Sequence, residues 1–240
     1  MCTVTYLPSN SGYFLTSNRD EKNTRAIALL PAVYIINNVP LIFPKDVDAG
    51  GTWIVLKENG DALCLLNGAF ENFTSKPIYK TSRGKIVLNI ATTTNFIKSF
   101  SEINLADTAP FTLVVINNKQ LFECRWDGEK KHCKVLDNNL SHIWSSATLY
   151  DAAQQNKRKN WFAQWQKNNA EPTQKDLFHF HTNTGEGNVE DDLIMNRNDT
   201  YLTVSITGIA ISNNDCLMQY QDIIYNECST TSFAYERVNS

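Results

Sequence analysis

A cysteine stands second in the chain, and a cluster of polar and charged residues follows about fifteen positions later. Cys2 comes directly after the initiator methionine, and residues 18–21 read Asn-Arg-Asp-Glu. Removal of Met1 would leave Cys2 with a thiol, of pKa near ~8.5, and a free α-amine, of pKa near ~7.7–8.0. One residue would then hold both a nucleophile and a base that accepts the proton of that nucleophile.

The residues between these two features have the pattern of a β-hairpin. Thr3–Tyr6 and Tyr13–Thr16 are rich in β-branched and aromatic side chains, and Pro8–Gly12 has the composition of a turn. Antiparallel pairing returns the end of the second strand to the start of the first, which predicts that the charged cluster lies beside Cys2. The alternative is that Cys2 is an ordinary small apolar residue and that the cluster is a solvated, salt-bridged turn.

Composition and length favour one globular domain over residues 1–240. The hydrophobic share of 42% and the charged share of 20% are ordinary for a globular protein. A net charge of −3 without a basic run gives no electrostatic reason to expect nucleic acid as a partner. The chain has no apolar stretch near the ~20 residues of a membrane span and no signal-peptide pattern. We therefore expect a cytoplasmic protein without an integral membrane segment.

Predicted strands and helices follow one another in blocks. Further hairpins are predicted over 52–66, 111–126 and 201–225, and helices over 86–91, 94–103, 151–166 and 174–180. Ser82 stands where the first of these helices needs a cap. Strand pairs early, helices in the middle and strands at the end indicate an α+β chain with mainly antiparallel sheets.

Four motifs give the chain a family resemblance. They are the opening MCTVTY…FLTSNRDE, the D-x-GGTW segment Asp48–Trp53, the strand end Leu66–Gly68 and the Ser-Arg-Gly-x-x-Val segment Ser82–Val87. In these motifs the chain resembles the NRDE proteins, the transport and Golgi organisation protein 2 family, over residues 1 to about 165. That family is similar to N-terminal nucleophile (Ntn) hydrolases whose mature chain begins with cysteine. The resemblance implies an Ntn-hydrolase-like four-layer αββα sandwich.

The resemblance also implies roles for the first residues of the chain. Cys2 is the nucleophile after removal of Met1, Arg19 lowers the pKa of its thiol, and Asp20 orients its α-amine. The cysteine-type relatives have a slightly wider spacing between arginine and aspartate. The division of roles between Asp20 and Glu21 therefore stays open, and a surface salt bridge is the alternative for Glu21.

Acyl transfer also needs hydrogen-bond donors for the developing oxyanion. Asn67, at a predicted strand end, is the candidate by residue type and by resemblance, and a simple turn asparagine before Gly68 is its alternative. The relatives use a second asparagine further along the chain. This chain has Ser145 and Ser146 in the corresponding segment, which is a departure from a complete hydrolase site.

Two classes of function follow from these residues and from the resemblance. The first is a cysteine Ntn hydrolase that cleaves a non-peptide C–N bond of a linear amide through an acyl-thioester on Cys2. Its partner is a small-molecule amide or acyl ligand, and it needs no cofactor. The alternative is a non-catalytic carrier that binds haem, acyl-CoA or another lipid, a use with which the family is associated. The sequence alone leaves open whether the protein is an enzyme.

The remaining cysteines and histidines do not have the spacing of a metal site. The candidate ligands are Cys124, His132, Cys133, His179 and His181. They form no C-x-x-C motif, and the two histidines of the His-x-His segment have no second pair nearby. We therefore predict no metal ligands, structural or surface histidines, and cysteines that serve as small buried residues.

Overall fold

Two antiparallel sheets form the centre of the structure, a computed structural model that describes residues 3–73, 79–213 and 215–233. The strands are β1 (Thr3–Ser9), β2 (Gly12–Lys22), β3 (Leu29–Ile36), β4 (Val39–Lys45), β5 (Ile54–Lys57), β6 (Ala62–Asn67), β7 (Phe111–Asn117), β8 (Gln120–Trp126), β9 (Lys131–Leu136), β10 (His142–Ser145), β11 (Asn196–Arg197), β12 (Tyr201–Ile211), β13 (Cys216–Asp222) and β14 (Cys228–Ser232). The helices are α1 (Arg83–Ala91), α2 (Phe96–Glu102), α3 (Ala152–Asn168) and α4 (Gln174–Asn183).

The two sheets differ in how the chain builds them. The first sheet has the order β10-β1-β2-β12-β13-β14, with β11 paired to β12, so it joins the two ends of the described chain. The second sheet follows the chain in the order β3-β4-β5-β6-β7-β8-β9. In the second sheet each strand pairs with the next one in sequence, although residues 68–110, with α1 and α2, lie between β6 and β7. The first sheet instead depends on contacts between residues far apart in sequence.

The helices lie on the outer faces of the two sheets. Helices α1 and α2 contact β5, β6 and β7 of the second sheet, and α3 and α4 contact β2, β10 and β12 of the first. The inner faces of the sheets meet where β1 contacts β6 and where β13 and β14 contact β3. This order of layers is the four-layer αββα sandwich, so the predicted α+β class and its architecture are confirmed.

Strand alternation directs apolar side chains into the core between the sheets. Val4, Leu15 and Ile209 of the first sheet are fully buried in one cluster with Leu63 and Val114 of the second. Successive side chains of a strand point to opposite faces, so the intervening residues of β1 and β2 face the helical layer.

The packing of α4 on β12 depends on a glycine. A Cβ atom on Gly208 would lie 1.9 Å from Nε2 of Gln174 and 2.5 Å from the Phe178 ring. Gln174 Nε2 instead donates a hydrogen bond of 3.1 Å to Thr16 Oγ1 of β2. The missing side chain therefore allows α4 to lie close to the strands that carry the charged cluster.

Most of the predicted elements are confirmed, with different boundaries. The four predicted hairpins are present, and β1 and β2, the strands of the first hairpin, are longer than predicted. Helix α1 begins at Arg83 with Ser82 as its N-cap residue, as predicted, although the Ser82 side chain forms no capping hydrogen bond. Strands β9, β10, β11 and β14 are found in addition. Among the described residues, no helix has the length and apolar character that a membrane span requires.

Candidate functional site

The start of β1 lies between two strands that carry candidate site residues. Thr3 pairs with Asn18 of β2 on one side and with Ser145 of β10 on the other. Arg19 therefore follows Asn18 at the end of the sheet where β1 begins. Cys2, which is bonded to Thr3, lies outside the described residues.

A cavity of about 470 Å³ opens at this end of the sheets. Its wall includes three of the four predicted site residues, Arg19, Asp20 and Asn67. The arginine of the Ser-Arg-Gly motif, Arg83, and the tryptophan of the D-x-GGTW motif, Trp53, also line it. The structure thus brings residues of all four sequence motifs to one cavity.

Arg19 is held in one position by two kinds of contact. Its side chain is only 4% exposed, and its Nη2 atom lies 3.2 Å from Oδ2 of Asp46. Its guanidinium carbon lies 4.5 Å from the centroid of the Trp53 ring, a cation–π geometry. Trp53 is itself buried, so it is both part of the core and a support for Arg19.

Asp46 shares its carboxylate between two arginines. Oδ2 of Asp46 lies 2.8 Å from Nη2 of Arg25 in addition to the Arg19 contact. Burial opposes ionisation of Asp46, but the hydrogen bonds from the Ala49 amide and Arg25, with the charge of Arg19, lower its pKa. Asp46 therefore stays an anion that balances part of the positive charge in the cavity wall.

Asp20 is buried and is fixed by two hydroxyl groups. Thr203 Oγ1 donates to Oδ1 at 2.5 Å, and the Tyr150 hydroxyl donates to Oδ2 at 2.9 Å. Opposite β2, the pairing register of β12 shifts between Thr203 and Ser205, which face Asp20 and Arg19. Such a bulge re-aims neighbouring side chains, and here it coincides with the two predicted site residues.

Glu21 occupies a more open position than Asp20. Its side chain is 26% exposed, and Oε2 lies 4.0 Å from Nη2 of Arg19. Oε1 accepts a hydrogen bond from the backbone amide of Lys22. Of the two acids, Asp20 is therefore the one with a fixed orientation, and Glu21 forms a partly exposed ion pair.

Asn67 ends strand β6 at the cavity. Its backbone pairs with Phe111, and its carbonyl oxygen accepts a hydrogen bond of 2.9 Å from Ser146 Oγ. Gly68 follows with a positive φ of 80°, which glycine adopts without strain. Within the described part of the chain, the Asn67 side chain forms no hydrogen bond, and it borders the cavity.

The two serines that replace the relatives' asparagine have different positions. Ser146 is completely buried, and its hydroxyl also contacts Thr148 Oγ1 at 3.0 Å. Ser145 lies in β10 directly opposite Thr3. Ser146 therefore supports the strand end that presents Asn67, and Ser145 is adjacent to the start of β1.

Two glycines allow the D-x-GGTW loop to touch the start of α1. A Cβ atom on Gly51 would lie 2.4 Å from the carbonyl carbon of Gly84, and Thr52 N donates to Gly84 O at 3.3 Å. This contact fixes the first turn of α1, where Arg83 lines the cavity. Arg83 Nη1 donates to the Pro110 carbonyl at 3.3 Å.

Asn18, the first residue of the charged cluster, connects β2 to α4 through hydrogen bonds. Its Nδ2 donates to the carbonyl oxygens of His181 at 3.2 Å and Leu193 at 2.9 Å, and its Oδ1 accepts from His181 Nδ1. The other ring nitrogen, Nε2, lies 2.8 Å from Thr5 Oγ1. Burial lowers the pKa of His181 to about 3, so this network contains a neutral histidine that anchors α4 to β1 and β2.

The cysteines include one opposed pair. Cys124 of β8 and Cys133 of β9 are direct cross-strand partners, and their Sγ atoms are 3.0 Å apart. The prediction of small buried cysteines is confirmed for Cys64, Cys124 and Cys216 and is wrong for Cys133 and Cys228, which are exposed. The described residues contain no group of three or more metal-ligating side chains.

The sandwich and its strand order define an Ntn-hydrolase-like fold. The chain is similar in structure to a Caenorhabditis elegans orthologue of N-acylethanolamine-hydrolyzing acid amidase, with 14% identity, a TM-score of 0.59 and coverage of 97% of this chain and 100% of that one. It is also similar to a mutant conjugated bile acid hydrolase from Clostridium perfringens, with 10% identity, a TM-score of 0.59 and coverage of 99% and 98%. Another variant of that hydrolase has 10% identity, a TM-score of 0.58 and coverage of 100% and 98%.

The sequence itself places the chain in a family. A sequence model of the family described as Transport and Golgi organisation 2 matches residues 1–222, and the chain belongs to this family. The predicted family and its likeness to Ntn hydrolases are therefore confirmed. No curated protein matches the sequence.

Proposed function

We propose that this protein is a cysteine Ntn hydrolase that cleaves the C–N bond of a linear amide. The observation that carries the proposal is the fixed Arg19–Asp20 pair, in the wall of a cavity at the end of β2. Strand β1 begins beside this pair, because Thr3 is opposite Asn18, and the residue bonded to Thr3 is Cys2. The solved structures that share the fold include proteins named as an amidase and a conjugated bile acid hydrolase.

In the proposed reaction, the Cys2 thiol attacks the amide carbonyl after removal of Met1. The free α-amine accepts the thiol proton and then donates it to the leaving nitrogen as the C–N bond breaks. The acyl group remains on Cys2 as a thioester, which water hydrolyses to a carboxylic acid and the free thiol. The same α-amine accepts a proton from that water.

Arg19 and Asp20 support two different parts of this step. The guanidinium of Arg19 favours the thiolate form of a nearby cysteine through its fixed charge. Asp20, whose orientation two hydroxyl donors fix, accepts a hydrogen bond from the α-ammonium group. Both are buried side chains with supported positions, as pre-organised catalysis requires.

Asn67 is the proposed donor to the oxyanion. Its side chain borders the cavity, and its strand end is held by Ser146. Removal of one such donor typically lowers the rate by about 10²–10³. Because serines stand where the relatives have a second asparagine, Asn67 has the larger share of this role here.

The serine substitution also favours the second candidate function, a non-catalytic carrier of haem or of an acyl-CoA or other lipid. In that case the cavity holds its ligand without a covalent step, and Cys2 is not an activated nucleophile. The two candidates differ in one property that needs no substrate, which is the reactivity of the Cys2 thiol.

The test is the intact mass of the protein from its native cell, before and after brief treatment with a thiol-reactive probe. A chain that lacks Met1, reacts first at Cys2 and loses that fast reaction in Arg19→Ala supports the hydrolase. Lys22→Ala is the matched control, since Lys22 lines the same cavity. A chain that keeps Met1, or a Cys2 that reacts no faster than the other cysteines, contradicts the hydrolase and favours the carrier.

A further inference from the structure

The wall of the cavity contains more positive than negative side chains. Its cations are Arg19, Lys22, Arg25 and Arg83, and its anions are Asp20, Glu21 and Asp46. Two of the cations, Arg19 and Arg25, share the Asp46 carboxylate. A cation that has no such carboxylate partner is the candidate to bind an anionic ligand.

Arg83 differs from the other arginines in its partners. Within the described residues it forms no ion pair, and its one hydrogen bond goes to the Pro110 carbonyl at 3.3 Å. Burial lowers the pKa of Arg83. Burial acts in the same sense on Arg25, but the Asp46 carboxylate outweighs it and raises the pKa of Arg25. The charge of Glu21 acts in the opposite sense to burial on Arg83 but does not outweigh it, and the two residues form no ion pair in the described part of the chain. Arg83 is therefore a desolvated cation without the direct carboxylate contact that Arg25 has.

The backbone of Arg83 is fixed in place. It is the first residue of α1, and the next residue, Gly84, is packed against Gly51 so closely that a Cβ on Gly51 would lie 2.4 Å from Gly84 C. A guanidinium presents several N–H donors in a planar fork, which matches the oxygens of a carboxylate or phosphate. An oxyanion would thus supply the missing partner without a change of backbone.

We propose that Arg83 binds an anionic group of the substrate, so that the amide cleaved at this site is one that carries a carboxylate or phosphate. This inference rests on the proposed hydrolase function and adds the substrate class. The positive charge at Arg83 selects anionic over neutral amides of the same size.

Alkylation of Cys2 tests the inference without a known substrate. Full-length protein that lacks Met1 is treated with iodoacetate, which is anionic, and with the neutral iodoacetamide. We expect Arg83→Gln to lower the ratio of the two rates at Cys2 by about tenfold, the effect of one charged hydrogen bond. Arg83→Lys should retain most of the ratio, and the control Lys22→Gln should change it little. Inorganic phosphate and acetate, added as competitors, distinguish a phosphate from a carboxylate site.

The outcomes separate the two proposals. A Cys2 that reacts fast with both reagents, at a ratio that Arg83→Gln leaves unchanged, overturns the anion site and keeps the hydrolase. A Cys2 that reacts with neither reagent overturns the hydrolase, and the substrate class with it. Thermal unfolding of each variant shows that its fold is intact before the rates are compared.

A separate observation, the opposed Cys124 and Cys133, carries a second inference. Residues directly opposite in an antiparallel pair have Cα atoms about 4.5–5.5 Å apart, which lies within the range that a disulfide spans. Their Sγ atoms are 3.0 Å apart, so bond formation requires an approach of about 1 Å. Strand β9 is the edge of its sheet, which leaves room for this adjustment.

The two thiols differ in exposure and in acidity. Cys133 is exposed and Cys124 is buried. The hydrogen bond between the two thiols, assisted by burial, raises the pKa of Cys124, and the same bond lowers the pKa of Cys133 against the effect of burial. Cys133 is therefore the thiolate that a reagent in solvent can reach.

We propose that Cys124 and Cys133 form a redox-active dithiol that small disulfides such as oxidised glutathione convert to a cross-strand disulfide. The Cys133 thiolate attacks one sulfur of the small disulfide, and one thiolate leaves and takes a proton from water. Cys124 then loses its proton to water, attacks Sγ of Cys133 and releases the second small thiol. Two protein thiols are oxidised, and one small disulfide is reduced to two thiols.

The test is treatment of the full-length protein with oxidised glutathione, followed by alkylation and peptide mass analysis. We expect wild type to lose two hydrogens and to show a Cys124–Cys133 linked peptide. Cys124→Ser should instead accumulate a stable glutathione adduct on Cys133, and Cys133→Ser should leave Cys124 unmodified. Cys228, the other exposed thiol in the described part of the chain, is the matched control. A stable adduct on Cys133 in wild type, or equal reactivity of Cys133 and Cys228, would overturn the proposal.

Discussion

The guanidinium of Arg19 lies 3.2 Å from the Asp46 carboxylate, which joins the charged cluster of β2 to the loop that follows β4. The same carboxylate binds Arg25 at 2.8 Å, so it holds two cations at one side of the cavity. Removal of Asp46 would leave both arginines without their shared anion. Among the described residues, Arg19 would keep its contact with Trp53 and the 4.0 Å contact with Glu21.

Asp46→Asn should change the reactivity of Cys2 through Arg19. The neutral amide no longer fixes the guanidinium, so we expect the rate of thiol alkylation at Cys2 to fall several-fold at neutral pH. This decrease should be smaller than the one in Arg19→Ala. The measurement is the pH dependence of the alkylation rate, which reports the pKa of the thiol. An unchanged pH profile in Asp46→Asn, with a changed profile in Arg19→Ala, would show that Arg19 is positioned without Asp46.

Asp20→Asn should destabilise the protein and reduce its activity. Two hydroxyl groups, of Tyr150 and Thr203, donate to this buried carboxylate, and an asparagine side chain has one oxygen for both. The amide nitrogen of asparagine cannot accept from either hydroxyl, and loss of a hydrogen bond to a charged group costs about 1.5–3 kcal/mol. We expect denaturant unfolding to show a loss of that size, and Tyr150→Phe, which removes one donor, to show a smaller one. Activity of Asp20→Asn equal to wild type would contradict the proposed role at the α-amine.

The Arg19–Asp20 position could be predicted from the sequence because hairpin pairing is local. Once two strands and their turn are recognised, the register sets which residues are opposite, and it places Asn18 beside Thr3. Asn67 follows in the same way from the hairpin of β5 and β6. The resemblance in the four motifs then supplied the order of layers, which the pattern of predicted strands did not determine.

The features that sequence reasoning missed depend on short strands or on distant partners. Strand β9 is largely exposed, and β10 has only four residues, so neither shows the alternating apolar pattern of a half-buried strand. Because β9 was not predicted, the pairing register that places Cys133 opposite Cys124 could not be predicted either. The contact of Asn18 with His181 joins residues that lie far apart in the chain, and no local signal links them.

His181 should make the stability of the protein depend on pH. Burial lowers its pKa to about 3 in the folded state, whereas in the unfolded chain it titrates near ~6.5. Below pH ~6.5 the unfolded state therefore binds more protons than the folded state, and the free energy of unfolding falls as pH falls. The contribution of this one group is about 1.4 kcal/mol for each pH unit between about 6.5 and 3.

The measurement is denaturant unfolding of wild type and His181→Gln at several pH values from 7.5 to 4. His181→Gln should be less stable at pH 7.5, because its hydrogen bonds to Asn18 and Thr5 change, but it should lose less stability as the pH falls. His179→Gln is the control, since His179 is exposed on the same helix. Equal pH slopes for wild type and His181→Gln would show that the histidine is not buried in its neutral form.

Gly51→Ala should be far more destabilising than the neighbouring Gly50→Ala. A Cβ on Gly51 meets the backbone of Gly84 at 2.4 Å, so the loop must move away from α1. Gly50 has a positive φ of 64° but only a lysine side-chain atom, at 3.7 Å, near its Cβ. We expect about 1 kcal/mol for Gly50→Ala and more than about 2 kcal/mol for Gly51→Ala. Thermal unfolding of both variants makes the comparison, and similar losses would show that the loop and α1 are not in close contact.

Asn67→Ala should separate the two candidate functions. If Asn67 donates to the oxyanion, its loss lowers the rate of amide hydrolysis by about 10²–10³ with little change in KM, because the donor acts mainly in the transition state. If the protein is a carrier, no hydrolysis is present to lose, and ligand affinity changes by the loss of one polar contact.

Ser146→Ala is the matched control for Asn67→Ala. It removes the hydroxyl that holds the Asn67 carbonyl at 2.9 Å but keeps the amide side chain. For the hydrolase we expect a smaller loss of rate, since the donor remains but its strand end is less well supported. A Ser146→Ala loss as large as that of Asn67→Ala would mean that the support of the strand end, rather than the amide donor, accounts for the effect.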